Sequence, residues 1–152
     1  MEPYLLDTYF NDLEVGAIQV TRGRTVTEGD IVNWCALTGD WFALHVDKEY
    51  AKSTMFGQRI APGMMVLAFT GGLGVPPISD SLLANYGSDR VRYPRPTFIG
   101  DTVHAEFEVE ELTVRDEHTG VAAFRVDMIN QDGQTVMASK LKVLMKRAPD
   151  VD

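Results

Sequence analysis

Residues Met64 to Phe69 read Met-Met-Val-Leu-Ala-Phe, with Pro62 and Gly63 before them and Gly71, Gly72 and Gly74 after. Proline suits the first position of a helix, where its missing N–H costs nothing, and Pro76-Pro77 stops the chain from continuing as one. A helix that is apolar all round has no face to give to water, so it must be surrounded. This segment therefore demands an enclosing layer, and the C-terminal part of the chain supplies it. Val103, Ala105, Phe107 and Val109 alternate with His104, Glu106, Glu108 and Glu110. Ala122, Phe124, Val126 and Met128 follow the same rule, as do Leu141, Val143 and Met145. Such period-two patterns mark antiparallel strands with one wet face. Asp132-Gly133 is a hairpin signal between the last two strands, and His118 to Gly120 marks the earlier turn. The order predicts an α+β domain in which an antiparallel sheet wraps a central apolar helix.

The N-terminal part is more varied. Asn11 to Val15 reads as a turn, because Asn11 and Asp12 can bond their own backbone. Ala17 to Val26 reads as a strand with Ile18 and Val20 on one face. Thr27 is placed to cap a helix, with Glu28 and Asp30 at the positive end of its dipole. Ile31, Val32, Trp34, Cys35 and Leu37 form its apolar stripe, and Gly39 ends it. Trp41 to Arg59 reads as irregular, apart from a helical turn at Lys48 to Lys52. The chain of 152 residues fits one domain, expected over residues 1–147, with a disordered tail at 148–152.

The charge balance excludes some functions. A net charge of -8 argues against a phosphate-binding surface, and so against nucleic acid as a partner. The single cysteine, Cys35, cannot form an internal disulfide and reads as a small buried hydrophobe. The first residues lack the basic and apolar regions of a signal peptide. The apolar stretch from Ile60 to Val75 is too short and too interrupted to span a bilayer. The expectation is a soluble cytoplasmic protein without a membrane partner.

Two segments can carry chemistry. Asp40 and His45 lie five apart, just after the helix-ending Gly39. A carboxylate and an imidazole together can hold one water and move protons both ways. From spacing alone, a helix end with an Asx-turn and a surface histidine is the favoured reading. In the second segment, Gly57 to Met65, a loop enters the start of the apolar helix. Free N–H groups there can stabilise a developing oxyanion, with Gly63 permitting close approach, or Gly63 can simply allow tight packing. His104 and His118 read as solvated or paired surface groups. The three histidines show no metal-ligand spacing, so no metal is expected. Arg59, Arg90 and Arg92 are the arginines that could meet phosphates.

Taken together, these segments resemble the MaoC-like dehydratases, or R-specific enoyl-CoA hydratases, of the hot-dog fold. Thr38-Gly39-Asp40, Leu44-His45 and then Ala51 match that family's first motif. Gly57-Gln58-Arg59-Ile60-Ala61-Pro62-Gly63-Met64 matches the opening of its central helix. Arg95-Pro96-Thr97-Phe98-Ile99-Gly100-Asp101-Thr102-Val103 matches a third stretch. The resemblance spans roughly Phe10 to Met145. It implies a single hot-dog domain, a catalytic Asp40 and His45, and a Gly63 N–H bound to the thioester oxygen. It further implies an acyl-CoA or acyl-carrier thioester as substrate, no other cofactor, and a homodimer or dimer of dimers. This chain departs from the family at Phe42-Ala43, where Asn-Pro is usual, at Pro62, where histidine is usual, and at Gly71, where some members are polar. Phe42, Pro62 and Gly71 are thus the expected pocket-shaping positions. The competing expectations are a hot-dog thioesterase and a non-catalytic or heteromeric acyl-CoA-binding subunit. No acid lies between Gly57 and Ser79 to serve the thioesterase.

Overall fold

The computed structural model describes residues 4–149. Its elements are β1 (Ile18–Val20), β2 (Arg24–Thr25), α1 (Glu28–Thr38), α2 (Ala43–Val46), α3 (Lys48–Lys52), α4 (Gly63–Gly74), β3 (Leu82–Arg92), β4 (Thr102–Val114), β5 (Thr119–Ile129) and β6 (Thr135–Lys146). The strands form one antiparallel sheet in the order β1-β4-β5-β6-β3, with β2 added beside β4. No described helix is long and apolar enough to cross a membrane.

The alternation predicted for β4 and β5 is present. Val103, Ala105, Phe107, Val109, Ala122, Phe124, Val126 and Met128 are all buried, and α4 lies over them through Met65, Val66, Phe69 and Leu73. Gly74 closes α4 directly against the sheet. A Cβ added there would come 2.2 Å from Cζ of Phe107, so only glycine allows this approach.

Several expectations need correction. α4 is buried on one side only: Met64 is 63% exposed, and Ala68, Gly71, Gly72 and Val75 follow it along the same open face. Pro62 stands one residue before the helix rather than at its first position. Its extended backbone (ψ 130°) leaves its carbonyl to accept the Met65 and Val66 N–H groups at 3.0 and 3.2 Å. The strand expected from Ala17 to Val26 is broken between β1 and β2, where Thr21 bonds Ala105 through both its N–H and its hydroxyl. Ile18 and Val20 share a face, but that face is exposed; Gln19 points inward and accepts the Leu5 N–H at 2.7 Å. In α1, Ile31 and Cys35 are buried, whereas Val32 and Leu37 face outward. β3 was not anticipated. Asn85, Gly87, Ser88 and Asp89 hide it, and as an edge strand with little buried surface it needs no apolar alternation. Of the tail, Ala148 donates its N–H to Asn11 at 2.7 Å; residues 150–152 lie outside the described residues.

Candidate active site

The site begins with α1. Thr27 and Asp30 form a reciprocal capping box at its start, with bonds of 3.2 and 2.9 Å. Arg24 pairs with Asp30 at 2.5 Å and lies 4.0 Å over the Phe69 ring, which ties α1 to α4. At the other end Gly39 adopts φ 77°, a left-handed turn that turns the chain out of the helix. Asp40 follows at once. Its N–H donates to the Thr38 hydroxyl at 3.2 Å, and that hydroxyl donates to the Trp34 carbonyl at 2.7 Å.

His45 sits in α2, a four-residue helical turn inside the segment expected to be irregular. Its N–H donates to the Phe42 carbonyl at 2.9 Å. The ring is buried, and Nδ1 lies 2.8 Å from the Ile60 carbonyl oxygen. A carbonyl can only accept, so Nδ1 carries the hydrogen, and a neutral ring keeps its lone pair on Nε2. Nε2 faces Asp40 Oδ2 at 3.9 Å. That gap is too wide for a direct hydrogen bond, but a water about 2.8 Å from both atoms would bridge them. The Asp40 side chain is 46% exposed, against 10% for that of His45. The pair thus has an open partner and a closed one.

The Ile60 carbonyl is itself held. Ile60 bridges Phe98, and the Ala61 N–H of the same peptide unit donates to Thr97 at 2.7 Å. Arg59 grips Glu28 of α1 with two parallel bonds. Through those bonds its guanidinium holds the Glu28 carboxyl below the usual carboxylate range. Arg59 is therefore engaged with α1 rather than free; Arg90 and Arg92 are exposed at the end of β3.

Phe42 stands at the rim, exposed, with its ring edge-on to His45 at 5.7 Å. Pro62 is buried beside the start of α4. The Gly63 and Met64 N–H groups have no acceptor among the described residues. Tyr93 covers Gly63 so closely that an added Cβ would lie 2.9 Å from its ring, so tight packing is present here. Burial raises the Tyr93 phenol above its ordinary pKa. Gly71 lines a largely apolar cavity of about 380 Å³ with Trp34, Met64, Leu67, Phe107 and Val143. Asp40, Phe42, His45 and Pro62 are not among its walls.

The remaining candidates stay apart. Cys35 is buried, and burial, followed by the nearby Asp40 charge, pushes its thiol pKa up. His104 neighbours Glu106 at 3.6 Å, and His118 is exposed in a turn. The described residues contain no group of three or more His, Cys, Asp or Glu side chains suited to a metal. Sequence reasoning missed two parts of the site. The Ile60 carbonyl is a backbone atom with no residue-type signal. Tyr93 lies far along the chain, and only the glycine opposite it hints at its presence.

The profile of the MaoC like domain matches residues 14–131. Protein MaoC of Klebsiella aerogenes is 34% identical over 111 residues, which cover 73% of this chain but only 33% of that protein. The 3-hydroxybutyryl-CoA dehydratase of Methylorubrum extorquens is 35% identical over 115 residues, covering 74% of this chain and 70% of the relative. Among solved structures, an Archaeoglobus monoamine oxidase regulatory protein superposes with a TM-score of 0.88 at 39% identity, covering 93% of this chain and 96% of that one. A Mycobacterium tuberculosis protein with a double hotdog fold superposes with a TM-score of 0.79 at 22% identity, covering 97% of this chain and 47% of that one, a likeness of fold alone. The chain has a hot-dog fold.

Proposed function

Because the chain belongs to the MaoC like domain family, we propose that it is a hydro-lyase that reversibly hydrates an enoyl thioester to a (3R)-3-hydroxyacyl thioester. One observation carries this reading: His45 is fixed with Nδ1 on the Ile60 carbonyl, so that Nε2 faces the Asp40 carboxylate across 3.9 Å. A water held between them gives a proton to Nε2 as its oxygen bonds to C3. The C2=C3 electron pair moves toward the thioester oxygen, and the Gly63 and Met64 N–H groups receive the charge that builds there. The dyad then returns the proton to C2, so H and OH have been added with no net oxidation. The chemistry calls for no metal or redox cofactor, and coenzyme A or an acyl carrier enters as part of the substrate.

The relatives' activities support the thioester class. The altered rim at Phe42 supports a branched, ring-bearing or dicarboxylic acyl group as readily as a straight chain. The open face of α4, with Met64, Ala68, Gly71, Gly72 and Val75, suits a second copy of the chain, so the working form is a homodimer or dimer of dimers.

Hydration of crotonyl-CoA and of branched and dicarboxylic enoyl-CoAs, followed by loss of enoyl-thioester absorbance, tests the reading. His45→Ala and Asp40→Asn should each slow turnover by about 100-fold or more. Unchanged rates in both variants, or no hydration of any substrate by folded protein, would refute it.

A further inference from the structure

We infer that Thr38 is a positioning residue that sets the direction of the Asp40 carboxylate through a hydroxyl relay from the last turn of α1; this rests on the hydration reading above. The two partners of the dyad are held in different ways. His45 is buried, and its ring is pinned by a main-chain carbonyl. Asp40 is exposed, and its carboxylate has no hydrogen-bond partner among the described residues. Its direction therefore depends on the backbone that carries it, which leaves the helix through the left-handed turn at Gly39.

Two helix carbonyls control that exit. Cys35 accepts the Gly39 N–H at 2.8 Å. The Trp34 carbonyl accepts the Thr38 hydroxyl at 2.7 Å, and the oxygen of that Thr38 hydroxyl accepts the Asp40 N–H at 3.2 Å. The hydroxyl donates and accepts at once, so it transmits the rigidity of the helix to the Asp40 amide. Serine has the same two capacities, whereas valine has neither but matches threonine in shape. Thr38 is exposed, so Thr38→Val removes the relay without opening a cavity. A small swing of the carboxylate matters, because displacement by about 1 Å from reacting geometry can cost up to about 100-fold in rate.

The test compares Thr38→Val and Thr38→Ser in the homodimer, with the best enoyl-CoA from the panel above. Thr38→Val should lower kcat about tenfold and leave KM within about twofold, whereas Thr38→Ser should stay within about twofold of wild type in both. In an Asp40→Ala background Thr38→Val should cause no further loss, because it acts only through Asp40. Hydrogen exchange at the Asp40 amide should quicken in Thr38→Val and not in Thr38→Ser. The inference is overturned if Thr38→Val keeps full kcat, if serine fails as badly as valine, or if the loss persists without Asp40. An inactive wild type would instead refute the hydration reading, while amide exchange would still report whether Thr38 holds Asp40.

Discussion

Gly74→Ala should be costly, although alanine is ordinarily the better helix residue. The new Cβ would lie 2.2, 2.4 and 3.1 Å from three ring carbons of Phe107. Carbon atoms in contact normally stand about 3.5–4.0 Å apart, so the helix or the ring must yield by more than about 1 Å. Phe107 is 1% exposed, and its neighbours on that face, Ala105 and Val109, are fully buried, so the ring can yield only toward the cavity it helps to line. Overpacking of this kind costs about 1–3 kcal/mol, and a strongly enforced clash sits at the upper end. The helix preference of alanine offsets at most about 1 kcal/mol, and less at the last helical residue. The net loss should therefore be about 2–3 kcal/mol, or a fall in Tm of about 4–12 °C for a domain of this size. Thermal unfolding followed by circular dichroism measures it. Phe107→Leu also destabilises by itself, but it makes room, so the double variant should lose less than the sum of the singles. A neutral or stabilising Gly74→Ala, or strict additivity in the double variant, would show that α4 does not rest on Phe107 as described.

Two further outcomes are expected. Burial chiefly, with the charges of Glu106, Glu108 and Glu110 adding to it, raises the Asp127 pKa against the opposing pull of Arg125. The folded state thus favours the protonated acid, and stability from this site falls as pH rises from the unfolded carboxylate value through the folded one. Asp127→Asn should therefore raise Tm at neutral pH and lose that advantage as pH falls through the raised folded pKa and the native acid takes up its proton; melting curves across pH would contradict this if the gain grew on acidification. Separately, Ala68→Glu on the open face of α4 should leave the fold intact but shift the protein to monomer in light scattering, and an unchanged dimer would mean that copies meet elsewhere.

Much of the fold can be read from the chain because its signals are local. Thr27 with Asp30, Gly39, and the alternation from Val103 to Val109 each state their structure within a few residues. β3 and the interruption between β1 and β2 cannot be read this way. β3 is specified by its pairing to β6 far along the chain, and the inward Gln19 is acceptable only because the Leu5 N–H meets it. The site divides similarly. The spacing of Asp40 and His45 singles them out as candidates. The 3.9 Å separation, the hydrogen on Nδ1 and the Tyr93 ring over Gly63 all come from tertiary contacts between distant segments.

The hydrogen bond that fixes His45 ends on the main chain of Ile60 rather than on a side chain. Every amino acid brings the same carbonyl, so no codon change at position 60 can delete this acceptor. Substitutions there can alter only packing, or the strand-like geometry that Ile60 shares with Phe98. Drift at position 60 is therefore buffered where the chemistry is most exacting. The walls of the apolar cavity beside Gly71, which include Trp34, Met64 and Val143, carry no such protection. A lineage built on this chain can reshape that cavity by ordinary point mutation while the carbonyl that His45 bonds passes on with every residue placed at position 60.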